Sequence, residues 1–128
     1  FMRSKYAEYP EYHTSKDNMD LISAKALQES FIVIAKCIDV IENNTTVKPL
    51  VTCEPQLGKR GLYGTLGGQS ENNEGKQITD FLAYADGEND ILSIAENTGL
   101  PFSELRKIAD LLVSHRLVAL LDHPRSHK

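Results

Sequence analysis

The sequence predicts an α+β chain of two unlike parts joined by a glycine-rich stretch, and three observations lead there. Ala24, Leu27, Phe31, Ile34, Ile38 and Ile41 recur at alternating spacings of three and four, the stripe of a long helix. Residues 46–76 then lose periodicity and carry Pro49, Pro55 and glycines at 58, 61, 64, 67, 68 and 75. From residue 77 a compact pattern of three short helices and a β-prone run follows. A length of 128 residues suits one domain or two small ones, and the 41% hydrophobic and 25% charged fractions are those of an ordinary globular chain. No apolar run approaches the ~20 residues of a membrane span.

Taken in order, residues 1–21 read as irregular. Their opening Phe-Met-Arg-Ser-Lys-Tyr lacks the apolar centre of a signal peptide. The first residue is not Met, which suits a fragment of a longer chain or an added residue before Met2. Ser23 is a favoured N-cap, and no Gly or Pro follows until Pro49, so a helix is expected over 24–42, ended by Asn43-Asn44-Thr45. Ile32, Val33, Ala35 and Val40 widen its stripe until few faces stay polar, the pattern of a helix buried on most sides. A chain this small struggles to cover such a helix, so its expected cover is a sheet outside this sequence. Residues 46–76 are expected to lack regular structure and to dock elsewhere, with a flexible boundary at Gln69–Lys76.

Beyond that boundary Ile78, Phe81, Leu82 and Ala85 make a first helix, ended by Asp86-Gly87. Asp90 caps a second, which turns Ile91, Ile94 and Ala95 inward and stops at Asn97-Thr98-Gly99. Pro101 opens a third with Leu105, Ile108, Ala109, Leu112 and Val113 on its buried face. Leu117–Leu121 is a short strand ended by Asp122-His123-Pro124. A small Ala95 where helices cross, a left-handed Gly99 and the anchors Leu105 and Ile108 resemble a winged helix-turn-helix over residues 77–122. The expected divisions are therefore 1–45, 46–76, 77–122 and a frayed tail at 123–128.

The chemistry-bearing stretch is Tyr9-Pro10-Glu11-Tyr12-His13-Thr14-Ser15-Lys16-Asp17. An imidazole can give one nitrogen to a metal and its other N–H to an orienting acceptor. A hydrolytic zinc needs three or more protein ligands, and nothing else in the sequence completes the set. His13 therefore reads as one ligand of a larger site. The run resembles the last metal-ligand segment of the co-catalytic zinc aminopeptidases, which include bacterial leucyl aminopeptidases and glutamate carboxypeptidases. There a His in such a setting, just before a long C-terminal helix, closes a two-zinc site. The resemblance implies that His13 is a zinc ligand and that Tyr12 hydrogen-bonds the tetrahedral intermediate. The family's first His, bridging Asp, general-base Glu and remaining acidic ligands have no counterpart here. Asp17 reads as a helix-start acid rather than a partner of His13.

A second resemblance rests on Cys53-Glu54-Pro55-Gln56-Leu57-Gly58-Lys59-Arg60-Gly61-Leu62-Tyr63 followed by Leu66-Gly67-Gly68. It is similar to an uncharacterised bacterial branch of aminopeptidase-like proteins with a C-terminal winged helix, often encoded among polysaccharide-biosynthesis genes. The order of parts matches along essentially the whole chain. The implied fold is the C-terminal piece of an α/β zinc-aminopeptidase, followed by the winged helix. On its own, Gly58-Lys59-Arg60-Gly61 lacks the Walker spacing. Arg60 could grip a carboxylate with two hydrogen bonds, but a surface turn packed on the rest of the enzyme is the plainer reading.

Charge bears on partners. The whole chain carries a formal −4. Within residues 77–122 three basic residues, Arg106, Lys107 and Arg116, face eight acidic ones, Asp80, Asp86, Glu88, Asp90, Glu96, Glu104, Asp110 and Asp122, a balance of −5. A unit that approaches phosphates shows the reverse. Cys37 and Cys53 have no metal-binding spacing; Cys37 is expected in the core, and reduced thiols in a cytoplasmic protein are expected. His115 suits a helix C-terminus, and His123 and His127 lie in the tail.

The resulting expectation is the C-terminal part of a zinc-dependent aminopeptidase, a metallopeptidase-like hydrolase that is not catalytic alone. Its expected partners are the catalytic body, a peptide or amide substrate and a second copy of itself, with no nucleic acid and no membrane. The alternative is a winged-helix adaptor or DNA-binding regulator whose N-terminal half only dimerises.

Overall fold

The computed structural model describes residues 1–53, 55–62 and 74–121. It divides into two units, Phe1–Glu42 and Asn43–Lys128.

The first unit begins as a string of tight turns. Backbone N–H groups of Glu8, Tyr12, Thr14 and Asp17 each donate to the carbonyl three residues back, at 3.0–3.2 Å. Helix α1 follows over Ala24–Asn43. Its cap is the expected one: the Ser23 hydroxyl accepts from the Ala26 N–H at 3.1 Å. Arg3 folds back on the first turns, donating to the Ala26 carbonyl and pairing with Glu29, both at 3.0 Å. No residue of α1 is buried. Phe31 is 71% exposed and Ile41 75%, so the stripe that marks the helix stays largely open. Cys37, expected in a core, is exposed for the same reason.

The second unit holds a closed hydrophobic core. Strand β1 (Thr46–Pro49) pairs antiparallel with β2 (Val118–Leu121), Val47 opposite Leu120 and Lys48 opposite Ala119. The other edge of β1 is occupied too: Val47 N–H donates to the Asn89 carbonyl at 3.1 Å and Gly87 N–H to the Val47 carbonyl at 2.9 Å. Val47 can therefore be fully buried with its backbone satisfied. Helices α2 (Glu74–Tyr84), α3 (Ile91–Thr98) and α4 (Phe102–Ser114) pack around it. Phe81, Ile91, Ile94, Leu105, Leu112 and Leu117 are all fully buried. Three helices, with the two-stranded sheet formed by the segments before and after them, make the winged helix-turn-helix expected, and the chain is α+β.

The turns follow the residues read as their causes. Asp90 sits extended before α3, and its carboxylate accepts from the Ser93 N–H at 2.7 Å. Its second oxygen accepts from the Asn44 amide at 2.7 Å, while Asn44 in turn accepts from the Leu92 N–H at 3.0 Å. Asp90→Ala removes this cap, and a loss of about 1–2 kcal/mol in urea unfolding of the second unit is expected. Gly99, at φ +72, closes α3 by donating to the Ala95 carbonyl. Helix α4 ends differently, because a non-glycine residue takes the left-handed position. Arg116 has φ +56 and donates to the Val113 carbonyl, while Leu117 donates to the Leu112 carbonyl. Such a residue carries a steric cost that glycine avoids, so Arg116→Gly is expected to raise stability by about 1 kcal/mol in the same assay.

Two expectations are corrected here. Residues 46–62 are not a structureless docking segment: they supply β1 and a 3-10 turn over Leu57–Arg60. In that turn Gly61, at φ +69, donates to the Gly58 carbonyl and Leu62 to the Leu57 carbonyl, which sends both leucines into the core. The strand carries no local signal, because its four residues, Lys48 and Pro49 among them, show no alternation. Val113, placed on the buried face of α4, is 39% exposed; Leu105, Ala109 and Leu112 already fill that face. Glu54, most of the proposed linker, Tyr63, Leu66-Gly67-Gly68 and the tail from Asp122 lie outside the described residues.

Candidate functional site

Tyr12 and His13 sit in the turn region of the first unit, where Thr14 fixes the backbone. The Thr14 hydroxyl donates to the Glu11 carbonyl at 2.8 Å and accepts from the Lys16 N–H at 3.2 Å. His13 takes a left-handed backbone, φ +56, and its side chain is exposed. Its ring lies 4.2 Å from that of Tyr12, centroid to centroid, at a 58° tilt. Tyr12 is half-buried and meets two further rings: Tyr9 edge-on at 5.5 Å and Tyr6 at 6.1 Å. Partial burial, and next the nearby Asp17 carboxylate, hold the Tyr9 phenol above its ordinary pKa.

The donors fit a single contribution to a metal site and not a whole one. The ring of His13 has no hydrogen-bond partner among the described residues, so either nitrogen can bind a metal. No group of three or more His, Cys, Asp or Glu side chains able to hold a metal occurs among the described residues. No hydrogen bond links Asp17 to His13 among them either; the Asp17 N–H closes a turn on the Thr14 carbonyl at 3.1 Å. Beside the ring cluster lies a hollow of about 320 Å³ lined by Arg3, Ser4, Tyr9, Leu21, Ile22, Ala26, Leu27 and Ser30. The sequence reading missed both this hollow and the contacts of Tyr6. The recurrence of tyrosine at positions 6, 9 and 12 was the available signal.

In the second unit the candidates are used structurally. Arg60 donates to the His115 carbonyl at 3.2 Å, satisfying the end of α4. Arg106 donates to the Asn43 carbonyl at 3.0 Å and pairs with Asp110 at 3.2 Å, which ties down a cation on the helix that enters DNA in related folds. Cys53 is a free thiol, as is Cys37 in α1 of the first unit. Cys53 lines a hollow of about 380 Å³ with Pro49, Val51, Leu57, Leu82 and Ala83 among its walls. No helix among the described residues is long and apolar enough to cross a membrane.

Comparison with known proteins divides the chain near the same place. A family described as a domain of unknown function matches residues 1–44, and one described as winged helix-turn-helix matches residues 43–120. A Clostridium acetobutylicum protein, provisionally described as a polysaccharide biosynthesis protein with an aminopeptidase-like domain, is 38% identical over 126 residues. The match takes in 94% of this chain and 28% of that protein. The crystal structure of a provisionally assigned peptidase from Clostridium acetobutylicum superposes with a TM-score of 0.74 at 33% identity, over 88% of this chain and 24% of the other. The chain thus spans about a quarter of the length of the relatives it matches. The resemblance read from the sequence, to aminopeptidase-like proteins that carry a winged helix, is the one these comparisons return. By the match that covers most of its length, the chain belongs to the winged helix-turn-helix family.

Proposed function

We propose that this chain is the C-terminal part of a zinc-dependent aminopeptidase-like hydrolase of the cytoplasm, acting on a peptide or amide substrate. The observation that carries this reading is the similarity of both units, in one alignment, to a protein with an aminopeptidase-like domain. The exposed stripe of α1 supports it, since a catalytic body gives that surface a partner. Free, exposed thiols fit a reducing compartment.

In this reading His13 offers one ring nitrogen to a two-metal site whose other ligands lie on the body. Its remaining N–H is free for an acceptor there. The Tyr12 hydroxyl donates to the oxyanion of the tetrahedral intermediate, where a placed donor is worth most. Bound zinc supplies an acidified water and a polarised carbonyl in sites of this kind. The winged helix serves protein contact: over residues 43–120 seven basic residues face ten acidic ones, a balance of −3, and this and the tethered Arg106 both disfavour DNA.

The test is His13→Ala in the full-length protein. Zinc per chain, measured by elemental analysis, is expected to fall, and aminopeptidase turnover to drop by at least about a hundredfold. Unchanged zinc and turnover would refute the reading.

A further inference from the structure

We infer that the ring of Tyr12, braced edge-on by Tyr9, is a positioning element for the His13 imidazole, one that this chain supplies itself, beside any acceptor on the body. The inference rests on the proposed role of His13 as a ligand. Metal-binding histidines are normally held in one orientation by a hydrogen bond from the second ring nitrogen to a carboxylate or carbonyl. Here no such bond exists among the described residues, yet the ring is not left unsupported. Its neighbour in sequence lies 4.2 Å away, centroid to centroid. Adjacent side chains in an extended chain point to opposite faces. The left-handed backbone at His13 brings these two rings together, and the Thr14 hydrogen bonds hold that turn.

Tyr12 is itself fixed. Tyr9 meets it at 5.5 Å with a 74° interplanar angle, the edge-to-face arrangement that aromatic quadrupoles favour. Tyr6 adds a third ring at 6.1 Å. The stack therefore runs from the half-buried Tyr9 through Tyr12 to an exposed imidazole. A ligand held in advance loses less freedom when it binds, which raises affinity without any new bond to the metal. The ring of Tyr12 and its hydroxyl thus have separable duties, and a phenylalanine keeps the first while discarding the second.

The experiment measures zinc affinity of the full-length protein by chelator competition, for the wild type and for His13→Ala, Tyr12→Phe, Tyr12→Leu and Tyr9→Leu. Tyr12→Leu is expected to weaken binding by about tenfold or more, the usual effect of removing a ligand's support, with Tyr12→Phe within about twofold of wild type. Tyr9→Leu is expected between the two. Recovery by phenylalanine separates positioning from a general loss of folding. Wild-type affinity in Tyr12→Leu, or equal losses in the Leu and Phe variants, overturns the inference. Wild-type affinity in His13→Ala instead overturns the ligand role on which it rests, so the two failures are told apart.

Discussion

Phe81→Ala is expected to destabilise the second unit by about 3–5 kcal/mol, the largest effect of any single truncation in the chain. Phe81 lies in α2 with no exposed surface and belongs to the core that joins β1, the 3-10 turn and all three short helices. Removing its ring forfeits the transfer free energy and opens a cavity that flanking leucines and isoleucines cannot fill. Domains of this size are stable by only ~5–15 kcal/mol, so the variant should melt at a markedly lower temperature. Phe31→Ala is the matched control. That ring is 71% exposed, and its loss should change the second unit's unfolding by under about 0.5 kcal/mol. Circular dichroism in urea reads both. Equal effects from the two would mean that the core has been assigned to the wrong unit.

The second large effect concerns α1. Leu27, Phe31, Ile38 and Ile41 are each more than half exposed, and Ile34 is 43% exposed, along one helix. Full burial of each such side chain is worth roughly 1.5–3 kcal/mol, so the isolated chain has a strong incentive to associate. Light scattering of the 128-residue chain is expected to show dimers or larger species. Replacing Phe31 and Ile38 together by Glu should return a monomer with the second unit still folded. Because the drive is apolar, raising the salt should not dissolve the assembly. A monodisperse monomer at micromolar concentration, from the unaltered chain, would contradict this expectation.

What the sequence disclosed depended on whether a segment carries its own signal. α1, α2, α3 and α4 were legible because their periodicity and their caps agree: Ser23, Asp90 and Gly99 perform the roles their chemistry implies. β1 was not legible. Its strand identity comes from partners far along the chain, β2 on one side and residues 87–89 on the other. Gly61 misled for a related reason. A glycine in a polar run looks like a loop, whereas here it reverses the chain so that Leu57 and Leu62 can enter the core. The α1 stripe was legible both as apolar and as lacking cover within this sequence, because so small a chain has too little else to bury it; only Cys37 was misplaced, read as a core residue on a helix that stays open. At the candidate site the sequence singled out Tyr12 and His13 by type and order. The ring contacts that join them depend on a left-handed residue, which no pattern of side chains specifies.

The claim beneath the functional account is that the imidazole at position 13 binds zinc together with donors from a larger body. Anomalous diffraction at the zinc edge from crystals of the full-length protein tests it most directly. An anomalous peak is expected about 2.0–2.1 Å from one ring nitrogen of His13, with carboxylate or imidazole ligands from the body completing the shell. A fully occupied zinc site elsewhere, with the His13 ring turned to solvent and bound to nothing, would contradict it.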